Sequence, residues 1–243
     1  PQDEARNVQW YLENTLFDVV GEVYSEFEAV IADEYPDIDV PKLFEFRSWA
    51  GSDRDGNPFV TVDVTDETLD TQREIVLDRY KTQLKRLSAV LSQDGNRYAT
   101  TGAFQTSLAA DMERFPSVSE EAKERYPEEP YRQKFGFMRE RLARVGDVRP
   151  GGYEDEEELL ADLETVYASL RSYGGVDIAD AFIEPLIRQV DTFGFSLASL
   201  DLRDHRIQHT KAVDEALANE GIDYRELDEA DRTELLTEAI LQD

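Results

Sequence analysis

The sequence predicts a mainly α-helical chain that carries a few short parallel strands. Long stretches place apolar residues three and four positions apart, the spacing of one helix face. Only two short apolar runs, Leu43–Phe46 and Phe195–Leu202, read as strands. Two strands cannot make a stable sheet alone. They are therefore parallel members of a larger sheet, or they pack among helices. The long helical insertion between them resembles an elaborated barrel.

Asp3-Glu4-Ala5-Arg6 opens the first helix, with Leu12, Leu16, Val19, Val23, Phe27 and Val30 as its predicted buried stripe. Tyr35-Pro36 stops it, and 37–41 is a connector to the first strand. Thr65 or Asp66 is placed to cap a second long helix, whose stripe is Leu69, Val76, Tyr80, Leu84, Leu87 and Leu91. Asp94-Gly95-Asn96 ends it. Shorter helices follow over 104–115, 119–126 and 131–145, with a break at Pro127 and Pro130. Pro150-Gly151-Gly152 predicts a hinge within 146–153, although the whole of 1–243 reads as a single unit. Acids in the first turn of the 155–172 helix suit its macrodipole. Gly174-Gly175 ends that helix, and Asp177 caps the next, which runs to Phe193. Pro185 predicts a kink or break in it. Gly194 is a good residue to follow its end. Beyond the second strand, helices run over 206–219 and from Asp228 onward.

Charge restricts the function classes. Asp and Glu total 54 against 26 Lys and Arg, a formal net charge of −28. Such a surface repels nucleic acid and anionic membranes. The acids are spread along the chain instead of massed in a tail, which favours adaptation to a salt-rich cytoplasm over docking of one basic partner. No apolar run approaches the ~18 residues of a membrane span, and no signal peptide opens the chain. Without cysteine, disulfides and thiolate metal sites are excluded. A soluble, cytoplasmic protein is expected.

The stretch from Arg47 to Pro58 crowds one Trp, two Arg and two Asp into a tight turn after a strand. Loops at strand ends are where α/β enzymes place site residues. The same stretch also fits a connector with solvated charges. Arg203 ends the second strand. A guanidinium there needs a partner: a phosphate or carboxylate substrate, or an ion pair with Asp201 or Asp204. His205 and His209 stand one helical turn apart, but no third His, no Cys and no H-E-x-x-H completes a zinc site. The run from Asp53 to Asn57 fails as a calcium loop, since its Gly falls fourth and its twelfth residue is Val64.

Trp49-x-Gly51-x-Asp53-Arg54-Asp55-Gly56-Asn57-Pro58 resembles the S-W-M-G-G-D-R-D-G-N-P stretch of the phosphoenolpyruvate carboxylases. Four further places agree in order. Asp3-Glu4-Ala5-Arg6 with Glu13-Asn14 resembles D-E-A-R and E-N-S. Glu129-Pro130-Tyr131-Arg132 with Arg139-x-Arg141-Leu142 resembles E-P-Y-R…R-x-R-L. Phe193-Gly194 leading to Leu200-Asp201-Leu202-Arg203 resembles F-G…L-x-x-L-D-I-R. His209-Thr210 and Glu229-Ala230-Asp231 match the continuation. Two departures stand out: Ser52 replaces the second glycine, and Asp204-His205 replaces Q-E.

The resemblance implies an elaborated (β/α)8 barrel, usually a homotetramer. The reaction it implies joins phosphoenolpyruvate and bicarbonate to give oxaloacetate and phosphate, with Mg²⁺ or Mn²⁺. It implies that Arg203 contacts substrate, that Trp49 and Arg54 wall the pocket, and that Asp53, Asp55 and Asp201 organise the site. It also places Arg132 and Arg139 near the sugar-phosphate activator site of some members. The family's catalytic His, metal-binding carboxylates and F-H-G-R-G-G loop are not in this sequence. No catalytic residue or metal ligand is therefore expected within it, and the segment alone is expected to be inactive. The expectation is a central piece of the enzyme from a halophilic archaeon. The competing reading is a non-enzymatic acidic helical module that binds a basic partner.

Overall fold

A computed structural model of the chain describes residues 2–35, 38, 40–55 and 57–241. The expected stop at Pro36, positions 37 and 39 of the connector and the Gly56 half of the Asp55-Gly56 turn fall outside them. The described chain is mainly helical, with two short parallel strands.

The first helical rod comprises α1 (Gln2–Tyr11), a π-helical turn over Leu12–Leu16, and α2 (Phe17–Glu34). That turn corrects the predicted stripe. A π turn adds a residue per turn and rotates everything after it. The buried set is Leu12, Phe17, Val20 and Tyr24, whereas Val19, Phe27 and Val30 are exposed. The step from Leu12 to Phe17 is five residues, which a 3.6-residue periodicity does not anticipate.

β1 (Arg47–Ser48) begins later than the apolar run that predicted it. Phe44 and Phe46 instead pack on the core ahead of it, and Phe46 stacks on Phe193 at 5.2 Å. α3 (Val62–Val90) is capped by Thr61, not Thr65 or Asp66. Its predicted stripe is buried from Val76 to Leu91, with Leu69 partly exposed. Then come α4 (Gly102–Arg114), α5 (Pro116–Arg125) and α6 (Pro130–Leu142). Pro116 and Pro130 sit in the first turns of α5 and α6, where the missing N–H costs nothing. In the turn after α6, a Cβ on Gly152 would lie 2.6 Å from the Arg144 carbonyl oxygen, so only glycine fits.

α7 (Glu156–Ser172) carries an Asp155 cap and three acids in its first turn. α8 (Val176–Ile178) leads through a second π turn, Ala179–Ile183, into α9 (Glu184–Phe193). Pro185 lies just after that π turn. The helix absorbs the lost proline donor by widening there instead of breaking. β2 is Ser199–Leu200, shorter than predicted, followed by α10 (Arg206–Ala218) and α11 (Glu229–Leu241).

One core runs through α2, α3, α4, α6, α7 and α9. Inside it lies a polar knot that the sequence did not flag. Lys134, fully buried, donates to Ser107 Oγ at 2.7 Å, Asp111 Oδ2 at 2.7 Å and Asp162 Oδ1 at 2.6 Å. Asp162 also accepts from Arg141 at 3.1 Å and from the Tyr153 hydroxyl at 2.8 Å. All three ammonium protons of Lys134 thus have partners, the condition under which a buried charge is tolerated. Among the described residues, no helix is long and apolar enough to cross a membrane.

Candidate functional site

β1 and β2 pair in parallel, with Arg47 opposite Ser199 and Ser48 opposite Leu200. Ser199 N–H donates to Phe46 O at 2.9 Å, and Asp201 N–H donates to Ser48 O at 2.9 Å. Past Ser48 the first strand bulges. Trp49, Ala50 and Gly51 loop out, and the Ser52 and Asp53 amides fold back onto the Trp49 carbonyl at 2.9 and 3.0 Å. Pairing then resumes. Arg203 N–H donates to Ser52 O at 3.3 Å, and Arg54 N–H donates to Arg203 O at 2.7 Å, making a bridge between Asp53 and Arg203. The two loops singled out in the sequence therefore meet, main chain to main chain, at the C-terminal ends of the strands.

The start of α3 holds the bulge from below. Thr65 Oγ1 donates to Gly51 O at 2.9 Å and accepts from Arg54 Nη2 at 3.2 Å. Gly51 has φ +91°, and a Cβ there would lie 2.4 Å from Thr68 Oγ1, so neither the backbone angle nor the space admits a side chain.

Arg203 stands over this platform with its side chain 55% exposed. Its nearest carboxylate is Asp53, at 3.6 Å, not Asp201 or Asp204. Asp201 pairs with Arg47 at 3.5 Å, and Arg47 also binds Glu45 at 2.9 Å. Asp55 is exposed, and its backbone amide donates to Asp53 Oδ1 at 3.3 Å. Arg54 lies along the loop with a buried Nε that has no partner. Trp49, at the tip of the bulge, is 55% exposed. The structure thus brings Asp53 and Arg203 together on one platform with Arg54, and gives Asp201 a separate ion pair with Arg47. The sequence marked Ser52 only as a departure from the family stretch and gave it no role. It is fully buried, and its hydroxyl donates to Asp201 O at 2.9 Å. The only signal was a serine where the family stretch has glycine.

A cavity of about 1000 Å³ lies at the other ends of the strands, lined by residues that include Lys42 to Phe46 and Thr192 to Ser199. None of the residues on the Arg203 platform lines it, so its size does not mark the site. Arg132 and Arg139 belong elsewhere, on α6. Arg132 donates to Ser88 O at 2.6 Å and pairs with Glu129 at 3.0 Å. Both line a cavity of about 310 Å³ with Lys81 and Arg125. His205 caps α10, its Nδ1 accepting from Ile207 N–H at 3.3 Å. Among the described residues, no group of three or more His, Cys, Asp or Glu is placed to hold a metal ion.

A family profile described as Phosphoenolpyruvate carboxylase matches residues 1–243. The chain is 35% identical to the phosphoenolpyruvate carboxylase of Roseiflexus castenholzii, over 98% of this chain and 27% of that protein. It is 33% identical to that of a Synechococcus species, over 98% of this chain and 26% of that protein. It is 34% identical to that of Xanthomonas campestris, over 93% of this chain and 25% of that protein. The chain spans about a quarter of the length of the relatives it matches. With the profile matched along its whole length, the chain belongs to the phosphoenolpyruvate carboxylase family.

Proposed function

We propose that this chain is a central segment of an enzyme that carboxylates phosphoenolpyruvate with bicarbonate, giving oxaloacetate and phosphate. β1 and β2 are read as two strands of a (β/α)8 barrel, with the Trp49–Arg54 and Arg203 loops on its catalytic face. Arg203 binds the anionic substrate. The observation that carries this reading is its half-exposed guanidinium, held by one carboxylate at 3.6 Å. Main-chain bonds on both sides of Arg203 fix its base while most of its donors stay free for a ligand. Asp53 orients Arg203, Arg54 and Trp49 form the wall beside it, and Asp55 and Asp201 shape the two loops.

The family's Mg²⁺ or Mn²⁺ would stabilise developing negative charge on the substrate. By resemblance to the family, its ligands are assigned to parts of the enzyme outside this segment. The segment by itself is read as inactive. The α6 cavity is read as a place for a phosphorylated activator, since Lys81, Arg125, Arg132 and Arg139 line it, together with Glu121 and Glu140. The complete enzyme is proposed to be a cytoplasmic homotetramer from a salt-adapted archaeon, with hinge motion at 146–153.

The test is Arg203→Ala in the full-length enzyme. Losing charge-assisted hydrogen bonds to an anion should raise KM for phosphoenolpyruvate roughly ten- to a hundredfold, while KM for bicarbonate changes little. Unchanged kinetics would remove Arg203 from the site.

A further inference from the structure

We propose that Ser52 is a positioning residue for Arg203, acting through the backbone of β2. The role follows from the strand ladder and rests on the reading that Arg203 binds phosphoenolpyruvate. In a parallel ladder, a residue on one strand bonds to two residues flanking its partner on the other. Asp201 donates to Ser48 O. The regular continuation would bring the Ala50 amide to Asp201 O. The bulge prevents this: Ala50 N–H turns to Ser48 Oγ at 3.1 Å. The Ser52 hydroxyl takes its place: of the two carbonyls its single proton can reach, Asp201 O at 2.9 Å and Trp49 O at 3.2 Å, Asp201 O is the nearer. Two residues on, Ser52 O accepts from Arg203 N–H.

One buried residue therefore bonds the backbone on both sides of Leu202, by its side chain at Asp201 and by its carbonyl at Arg203. The main-chain half of this clamp exists for any residue at position 52. The hydroxyl half does not. A glycine there, as in the family stretch, leaves Asp201 O without that donor. Ser52 is fully buried, so its role is to fix the base from which the Arg203 side chain projects.

The experiment uses the full-length enzyme with Ser52→Ala, Ser52→Gly, Arg203→Ala and the Ser52→Ala/Arg203→Ala double variant. Steady-state kinetics and thermal midpoints are measured for each. Ser52→Ala and Ser52→Gly are expected to raise KM for phosphoenolpyruvate about three- to tenfold, the loss of one buried hydrogen bond. Expected kcat stays within about twofold of the parent, and KM for bicarbonate is unchanged. In the double variant, Ser52→Ala should add nothing to the KM effect of Arg203→Ala, since a residue that acts through another is silent without it. A lowered thermal midpoint with unaltered KM would make Ser52 merely structural and overturn the proposal, as would effects that multiply in the double variant. If Arg203→Ala raises KM and Ser52→Ala does not, the role of Ser52 fails alone. If Arg203→Ala leaves KM unchanged, the substrate role of Arg203 fails and takes this proposal with it.

Discussion

The ion pair between Arg203 and Asp53 is long and half in water, so it adds little to stability. Its proposed value is orientational. Asp53→Asn keeps the shape of the side chain and removes its charge. In the full-length enzyme it should raise KM for phosphoenolpyruvate by about three- to tenfold, with the thermal midpoint nearly unmoved. A melting curve beside a substrate titration checks this. A large fall in midpoint with unchanged KM would make the pair structural. Arg203 itself was legible in the sequence, because an Arg ending an apolar strand must find an anion. Its partner was not: sequence proximity pointed to Asp201 or Asp204, whereas the parallel register delivers Asp53. Ser52 was legible only as a departure from a motif. Its work depends on a carbonyl that a bulge leaves without its usual donor, and residue identities alone do not show a bulge.

Helix existence was legible nearly everywhere, because Pro, Gly and capping residues punctuate the apolar periodicity. Helix phase was not legible where a π turn intervened, as the exposed Val19, Phe27 and Val30 show. The polar knot joining α4, α6 and α7 was equally hidden. Lys134 reads as one solvated lysine on a helix until three elements close over it. Burial disfavours the charge on Asp162, but Lys134, Tyr153 and Arg141 together outweigh it, so its pKa lies below the ordinary carboxylate value. A carboxylate depressed in the folded state stabilises the fold above its unfolded pKa. That contribution is lost as pH falls through the folded value. Burial wins instead at Asp111, whose pKa is raised despite the attraction of Lys134. Its sign is opposite: its contribution is present at low pH and lost as pH rises through its folded value. Asp162→Asn should therefore destabilise the chain strongly near neutral pH, by about 3–5 kcal/mol, the scale of breaking a buried pair. It should also flatten the loss of stability below pH ~4. Denaturant titrations of parent and variant at neutral and acid pH measure both effects. Parallel pH profiles would show that Asp162 does not carry the acid sensitivity.

At the scale of the molecule, helical class and the parallel relation of the two strands were legible. The expected barrel goes beyond what the described residues show, because two strands of two residues each hold too little of a sheet to define one. The charge surplus was legible at once, and the structure gives it a physical setting. Many basic groups are already committed: Lys134 and Arg141 to buried carboxylates, Arg132 to helix-end carbonyls, Arg188 to Glu28. The acids outnumber the bases by 54 to 26, so a large anionic excess repels itself across the surface. Screening shrinks that repulsion as the Debye length falls from roughly 10 Å at 0.1 M salt to roughly 3 Å at 1 M. Stability should thus rise with salt. The buried Lys134–Asp162 knot, shielded from ions, should respond far less than the surface does. The expected outcome is a thermal midpoint several degrees higher in molar than in millimolar KCl. The Asp162→Asn variant should show the same salt increment on a lower baseline. A midpoint that did not move with KCl would remove the case for salt adaptation. A salt increment abolished by Asp162→Asn would instead place the salt sensitivity in the core.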